Sequence, residues 1–406
     1  MEWKEVRLGD VCEIYGRIGF RGYTTNDLVD TPKEGAISLS PKNIINGELN
    51  LDQCTYIKWD KYYESPEIMI NPNEIIITKT GSSVGRTTFV RRVVHPMTLN
   101  PQLVVLKNIS ENAEFLSYYI KSALFQSVLK SIVVGSAIPT LSQKNLANLI
   151  INVPKEVAYQ RRIAFILSSL DRKIELNNKI NADLEEMAQA IFKNWFVDFE
   201  PFKDGKFVDS ELGMIPEGWK VETLGDITKN KSAKVKEKND VKVLSPVTTG
   251  ELVLSEEYFT KQVFSSSIAK YKIVNKGEFA YNPARVNIGS LGRNEFDFDG
   301  CVSPVYVVFS VLDGYENYFD LFRKTDFFKD SVASLAIGGV RQSLSYDDLS
   351  LIETIIPSEN IVEKFNNLYN QMKKTIKANK QENSRLSLLR DTLLPRLMSG
   401  ELEVPE

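Results

Sequence analysis

The sequence predicts an α+β protein with an internal duplication, in which two mixed α/β domains are separated by two long antiparallel coiled-coil helices. Two stretches of about 40 residues carry coiled-coil heptads and match each other position for position. Short motifs also recur in the same order in both halves of the chain. The predicted segments are a first domain at 1–155, a central helix at 156–200, a linker at 201–217, a second domain at 218–357 and a distal helix at 358–400.

The central helix is predicted from a seam between Ala158 and Asp198, where apolar or small residues recur alternately four and three positions apart. Neither Pro nor Gly interrupts this stretch. Asn177 and Asn181 occupy the two middle positions, where a buried Asn usually fixes register and partner. The other seam residues are Ile163, Leu167, Leu170, Ile174, Leu184, Ala188, Ile191 and Trp195.

The distal helix repeats this seam. Phe365 follows Ile163 by 202 positions, and Asn379 follows Asn177 by the same number. The matching Asn pairs make each helix the expected partner of the other, and we expect all four Asn to set the register. The alternative is two ordinary amphipathic helices packed on separate cores. The remaining distal seam residues are Tyr369, Met372, Ile376, Asn383, Leu386 and Leu393.

The order of the chain predicts how each half is built. The motif Trp-Lys followed by Leu-Gly-Asp opens both halves. Its Trp is Trp3 in the first half and Trp219 in the second. In the first half, strands are expected at 36–39, 75–78, 102–107 and 149–153, with one helix at 113–132. In the second half, strands are expected at 241–244, 278–281, 305–311 and 351–356, with one helix at 315–329. The short, turn-rich linker requires the two long helices to run antiparallel.

Composition describes an ordinary protein with 43% hydrophobic and 25% charged residues. The net charge of −3 excludes a strongly basic, self-sufficient nucleic-acid binder. The opening residues do not resemble a signal peptide and no apolar run has the length of a membrane span, so a cytoplasmic location is expected. A single His and three widely spaced Cys give no metal site and no catalytic constellation. Tyr281-Asn282-Pro283-Ala284 is interpreted as a turn, since it lacks the second Pro and the terminal aromatic of an amino-methyltransferase segment.

Two kinds of polar loop occur in both halves, and they are the candidate DNA-binding residues. One loop follows a strand at Lys79–Arg86 and is matched in sequence with Arg285–Arg293. The other precedes the last strand of each domain, at 135–140 and 338–343. Glycines let a backbone approach a phosphate, and Arg, Asn and Gln read base edges. The alternative is that all are solvated hairpin loops. The candidates are Lys79, Thr80, Gly81, Ser82, Ser83, Arg86, Ser136, Thr140, Arg285, Asn287, Arg293, Gly339, Arg341 and Gln342.

The whole chain resembles the specificity subunit of type I restriction-modification systems. The likeness rests on the repeated opening motif, on the central segment LNNKINADLEEMAQAIFKNWFVDF followed by Glu-Pro, and on the ending LLPRLMSGEL. The resemblance implies two target recognition domains that each read half of a split sequence in double-stranded DNA. It also implies two helices that dock two methylation subunits, with restriction subunits joining through the complex. S-adenosylmethionine, ATP and magnesium are then expected on those partners, with no cofactor, metal or catalytic residue in this chain.

Two other classes of function remain open from the sequence. The chain can be a stand-alone DNA methyltransferase or nuclease, which would methylate or cleave without partners. It can also be a scaffold of two domains on a coiled coil, which would not bind DNA even when its partners are present.

Overall fold

The computed structural model describes residues 2–135, 138–236, 241–265, 267–335 and 343–405. These residues form two compact units, Met1–Asn178 with Lys380–Glu406, and Lys179–Asn379. Each unit contains one α/β domain and one segment of each long helix, the central helix Val157–Phe196 and the distal helix Glu359–Met398. No helix among the described residues is long and apolar enough to cross a membrane.

The first domain is built on two four-stranded sheets. One is antiparallel, with strand order Glu13–Gly16, Leu103–Lys107, Ile75–Thr78 and Thr87–Phe89. The other has the order Met97–Leu99, Gly35–Leu39, Tyr56–Lys58 and Leu28–Val29. Its first two strands are parallel, and its other neighbours are antiparallel. Two-stranded pairs join Trp3–Arg7 with Ile150–Pro154 and Ile44–Ile45 with Glu48–Leu49. The short helices are Leu8–Val11, Trp59–Tyr63, Ala113–Lys121, Ala123–Ser131 and Gln143–Ala147.

The second domain repeats the antiparallel sheet with the equivalent strands Thr228–Lys231, Val307–Val311, Phe279–Tyr281 and Leu291–Arg293. Its other sheet has the order Leu252–Leu254, Lys242–Pro246, Gly300–Val302 and Lys272–Val274, with the central two strands parallel. Lys220–Thr223 pairs with Glu353–Ile356, and Phe207–Val208 pairs with Ile215–Pro216. The short helices are Leu224–Ile227, Ser255–Tyr258, Glu316–Phe322, Asp326–Leu335 and Tyr346–Ser350.

The single helix expected in each domain is wrong, because both are broken in two. In the first domain Ser122 has an extended backbone, with φ −63° and ψ 150°. Its hydroxyl donates to the Tyr119 carbonyl and accepts from the Phe125 N–H, so it ends one helix and caps the next. In the second domain the Thr325 hydroxyl makes the same pair of bonds, to the Phe322 carbonyl and from the Phe328 N–H. The sequence did not reveal these breaks, because a capping Ser or Thr can interrupt a helix without disturbing the apolar periodicity around it.

The two long helices run antiparallel within each unit, as predicted. In the first unit Asp171 accepts from Arg390 at 2.7 Å, and Asn177 donates to Asn383 at 2.9 Å. The residue numbers of the contacting partners therefore decrease along the distal helix as they increase along the central helix. In the second unit the Phe196 and Phe365 rings lie 5.1 Å apart between centroids.

The seam predicted from the heptads is the buried face of both helices. Ile163 and Leu167 are fully buried, and every other seam residue is buried or half-buried. A second buried row, which the heptads did not predict, packs the central helix onto the domain of the second unit. Phe192 and Phe196 lie in this row and contact Tyr318, with ring centroids 5.4 and 5.2 Å away.

The four Asn form amide contacts inside each unit. In the first unit, Asn177 donates to Asn383 and to Glu382, and Asn383 donates to Asn178. In the second unit, Asn379 donates to Asn181 at 2.9 Å. Two amide atoms, Asn177 Oδ1 and Asn181 Nδ2, are buried without a hydrogen-bond partner among the described residues. The role of these residues in setting register stays a prediction.

Replacing Asn177 by Leu should lower the free energy of unfolding by about 1–3 kcal/mol, because the Asn383 carbonyl oxygen loses its donor inside the seam. Adding Asn383→Leu should recover part of this loss, since both partners are then apolar. Urea unfolding of the full chain, followed by circular dichroism, measures both effects.

The matched control is Asn194→Leu, which makes the same chemical change at an exposed position of the central helix. It should leave the free energy of unfolding nearly unchanged. Equal losses for Asn177→Leu and Asn194→Leu would show that the seam amides have no special role.

Candidate nucleic-acid interface

The two loops predicted to bind DNA in the first domain lie side by side. The Gly81 N–H donates to the Pro139 carbonyl at 3.0 Å, and the Leu141 N–H donates to the Lys79 carbonyl at 2.8 Å. Thr80 and Thr140 pair as an isolated antiparallel bridge. Loops from distant parts of the sequence therefore form one continuous surface at the end of the antiparallel sheet.

Lys79 lines a cleft of about 540 Å³ on this surface, together with Thr80 and Thr140. Burial lowers the pKa of the Lys79 ammonium. Gln102 and Gln143 line the same cleft and were missed by the sequence analysis. Gln102 directly precedes the strand Leu103–Lys107, which is paired with the strand before Lys79, so a register for these two strands would have identified it.

The remaining candidates in this loop differ in exposure. The side chains of Ser82 and Arg86 are exposed, and Ser83 is half-buried. Gly81 and Gly85 both have positive φ, at 101° and 89°. Gly85 is buried and a Cβ there would lie 2.8 Å from Gln126 Oε1, so this glycine faces its own domain, and its positive φ is the reason that a glycine is favoured.

The counterpart loop in the second domain is Asn282–Ser290. The Asn282 N–H donates to the Ser290 carbonyl at 3.1 Å, just as the Thr78 N–H donates to the Arg86 carbonyl at 2.8 Å. Arg86 is therefore equivalent to Ser290. The sequence match of Gly85-Arg86 with Gly292-Arg293 is wrong, because it pairs a loop with the strand Leu291–Arg293.

Arg293 is consequently a poor candidate for contact with DNA. Its Nη1 donates to Asn317 Oδ1 at 2.8 Å, and its Nε donates to the Gly277 carbonyl at 3.2 Å. The guanidinium also lies over the Phe279 ring. Its side chain is only 17% exposed. Arg293 therefore stabilises the second domain through contacts within it.

Arg285 and Asn287 are exposed on the loop, on either side of Val286. The Leu344 N–H donates to the Pro283 carbonyl at 3.1 Å, which is the equivalent of the Leu141 to Lys79 bond in the first domain. The same two loop positions therefore meet in both domains. Four candidates lie outside the described residues, namely Ser136, Gly339, Arg341 and Gln342.

Tyr281-Asn282-Pro283-Ala284 leads into a turn, as predicted. Asn282 Oδ1 accepts from the Ala284 N–H at 3.0 Å, which is a side-chain-closed turn. Tyr281 is fully buried, donates to the Leu344 carbonyl at 3.2 Å and has a pKa raised by burial. Within the ranges that the structure describes, no cluster of His, Cys, Asp or Glu could hold a metal ion.

Two duplicated domains, in which the same backbone hydrogen bond recurs beside the loops and each of which packs on an antiparallel helix pair, define a two-domain recognition protein. Residues 1–186 match the family model for the type I restriction modification DNA specificity domain. The chain is 30% identical to the type I restriction enzyme MjaIX specificity subunit of Methanocaldococcus jannaschii over 420 aligned residues, covering 100% of this chain and 94% of that protein. The chain therefore belongs to the family of type I restriction enzyme specificity subunits, whose general role is recognition of a DNA target.

Two further proteins are similar to this chain over nearly its whole length. The HindI specificity subunit of Haemophilus influenzae is 24% identical, with 99% of this chain and 100% of that protein covered. The crystal structure of a type I restriction-modification S subunit from M. genitalium shares the fold, with a TM-score of 0.58 at 15% identity. That match covers 98% of this chain and 96% of the other.

Arg293→Ala should lower the free energy of unfolding of the second unit by about 1–3 kcal/mol, because Asn317 and the Gly277 carbonyl lose a charged donor. Arg285→Ala, an identical change at an exposed position, should leave it nearly unchanged. Thermal unfolding of the two variants measures the difference, and an equal effect of both would refute the structural role of Arg293.

Proposed function

We propose that this chain is the DNA-reading subunit of a type I restriction-modification complex, and that each domain reads one half of a split target. The observation that carries this proposal is the recurrence of the same loop-to-loop hydrogen bond in both domains, within a chain that belongs to the specificity-subunit family. Two equivalent surfaces on one chain fit a target with two separate halves.

The side chains on these surfaces suit two kinds of DNA contact. Arg285 and Asn287 are exposed on the second domain, and such side chains bind guanine and adenine edges in the major groove. In the first domain the ammonium of Lys79 suits a phosphate, while the amides of Gln102 and Gln143 suit a base edge. The loops therefore combine a positioning charge with groups that distinguish bases.

The outward faces of the long helices support docking of methylation subunits. Several apolar side chains lie outside the seam and are 40% exposed or more. Single exposed apolar residues are common, but here they recur on both helices of one structural element. They are Phe165, Leu176 and Met187 on the central helix and Leu368, Leu388 and Leu389 on the distal helix.

In this proposal the chain itself is non-catalytic. The methylation subunits bind S-adenosylmethionine and methylate the DNA, and the restriction subunits use ATP and magnesium to cleave it. The partners also supply phosphate contacts, which a chain with a net charge of −3 needs. Methylation of DNA by the purified chain without partners would instead favour a stand-alone methyltransferase.

Exchange of one domain should change one half of the target. Replacing residues 5–153 with the matching segment of a related specificity subunit should alter the first half-site and leave the second unchanged. A methylation map of a genome carrying the complete system measures both halves at once. A change in both halves, or a target in one continuous block, would rule out independent reading by two domains.

Substitutions in the two loops should have different effects on DNA binding. Arg285→Ala should cost about 1–3 kcal/mol and relax the preference at one position of the second half-site, and the same is expected of Arg341→Ala. Lys79→Ala should weaken binding to all sequences and reduce the salt dependence. Titration of the assembled complex with labelled duplexes at several salt concentrations separates these outcomes.

Lys33→Ala is the control for Lys79→Ala, since Lys33 is an exposed lysine of the same domain outside the two loops. It should change neither affinity nor salt dependence. If Arg285, Arg341 and Lys79 can all be replaced without any change in binding or in the methylated sequence, these loops do not contact DNA.

A further inference from the structure

The distal helix carries a polar stripe next to its apolar seam in the second unit. Asn366, Asn370, Lys373 and Lys377 recur at spacings of four, three and four, so they share one face of the helix. Each lies one position after a seam residue. Each of the four contacts the second domain.

The two lysines of the stripe bind two acidic residues that follow the strand Leu291–Arg293. Lys373 Nζ lies 2.5 Å from Glu295 Oε1, and Lys377 Nζ lies 2.7 Å from Asp297 Oδ2. Lys276 of the domain binds the other oxygen of Asp297 at 2.9 Å. Hydrogen bonds from Lys377 and Lys276 lower the pKa of Asp297 to about 2.

The two asparagines of the stripe continue this contact through a chain of amides. Asn317 donates to Asn366 Oδ1 at 2.9 Å and to Asn370 Oδ1 at 3.0 Å, and its own oxygen accepts from Arg293. Arg293 lies two positions before Glu295. The second domain is therefore tied to the helix at four positions over about three turns, two of them through Asn317.

The equivalent face of the central helix in the first unit has different chemistry. Position 171, which lies 202 positions before Lys373, is an Asp that accepts from Tyr118 and Arg390. Position 175, equivalent to Lys377, is a Glu. Arg91, equivalent to Glu295 by the register of the strand pairs, binds Glu114 of its own domain at 2.6 Å. Both helix charges are reversed, and so is the charge at the position of Glu295, while position 93, equivalent to Asp297, is a Val. The second contact is therefore specific to its own domain.

We propose that Glu295, Asp297, Lys373 and Lys377 form an ionic mount that orients the second recognition domain on the distal helix. This inference rests on the proposed reading of a split target. The four residues are positioning residues, because they lie away from the loop Asn282–Ser290 and act by fixing its direction. A foreign second domain can then be exchanged successfully only if it carries acidic residues at both positions.

The solvent exposure of the ion pairs determines whether the mount affects the stability of the unit or the orientation of the domain. The side chains of Lys377 and Asp297 are 55% and 64% exposed, and exposed pairs add little to stability. Screening by salt weakens them over a Debye length of about 8 Å at physiological ionic strength. The mount therefore affects orientation in a salt-dependent way while the apolar seam keeps the unit folded.

The pH should have little effect on the mount near neutrality. The pKa of Asp297 is lowered from 3.8 to about 2 on folding, so its contribution is complete above pH 3.8 and is lost only as the pH falls towards 2. Raising the salt concentration should loosen the mount, whereas a shift of about one pH unit around neutrality should not.

The test reverses the helix charges in the full chain assembled with its methylation subunits. Lys373→Glu with Lys377→Glu should broaden the accepted spacer or relax the second half-site, and leave the first half-site unchanged. Adding Glu295→Lys with Asp297→Lys should restore the parent target. A methylation map of the host genome measures the target, and a purely structural role would lower activity on every site without changing the spacer.

The matched control reverses two exposed lysines on the same helix, Lys364→Glu with Lys374→Glu, and should leave the target unchanged. Hydrogen exchange of residues 293–299 in the isolated full chain is a second readout that does not depend on DNA. Exchange should rise in the Lys373/Lys377 variant and at high salt, and fall again in the charge-swapped variant.

These two readouts separate the mount from the proposed function. A parent protein that methylates no split target refutes the proposed function, and hydrogen exchange alone then decides for or against the mount. A parent that reads a split target, with an unchanged spacer and unchanged exchange in the Lys373/Lys377 variant, refutes the mount. Failure of the charge swap to restore either readout also refutes it.

Discussion

The pairing of the two long helices is the interaction on which the rest of the structure depends, because it closes the core of each unit. In the first unit, Leu397 and Met398 of the distal helix are buried in the same core as Leu8 and Ile163. In the second unit, Phe192 and Phe196 of the central helix share a core with Phe365. The core of the first unit needs residues from both ends of the chain, whereas the second unit, Lys179–Asn379, is contiguous. Each core takes one segment from both helices.

The duplicated domains share main-chain hydrogen bonds more than side chains. Leu8 N–H to the Leu149 carbonyl recurs as Leu224 N–H to the Ile352 carbonyl, both at 2.8 Å. The bond that joins the two loops ends on Lys79 in one domain and on Pro283 in the other. Since a backbone bond does not depend on the side chain at its acceptor, the loops can differ in sequence and still keep this bond. This arrangement is what the proposed reading of two different half-sites requires.

The sequence predicted the parts of the fold that local periodicity determines. Heptad spacing identified the helix seams, and the repeated motifs identified the duplication, because both signals are contained in short stretches. Prediction from the sequence failed where a single side chain interrupts a helix without changing the pattern, as at Ser122. It also failed where two equivalent loops differ in sequence, so that Arg293 was matched with the wrong residue. The contacts of Glu295 and Asp297 with the distal helix could not be predicted, since these residues lie about 80 positions from Lys373 and Lys377 and follow no period. For the same reason, Gln102 and Gln143 became candidates only once the structure showed which residues line the cleft of Lys79.

The closure of the first core by Leu397 and Met398 also sets an order of events during translation. The second unit, Lys179–Asn379, is synthesised in full before the residues that complete the first core. Domains usually fold from the N-terminus onward as the chain emerges. Here the first domain to be synthesised is the last to complete its core. Until Leu397 and Met398 are added, its apolar surface stays open and chaperones can bind it. A premature stop codon after residue 380 would therefore damage the first domain and spare the second, which is encoded next to the lesion.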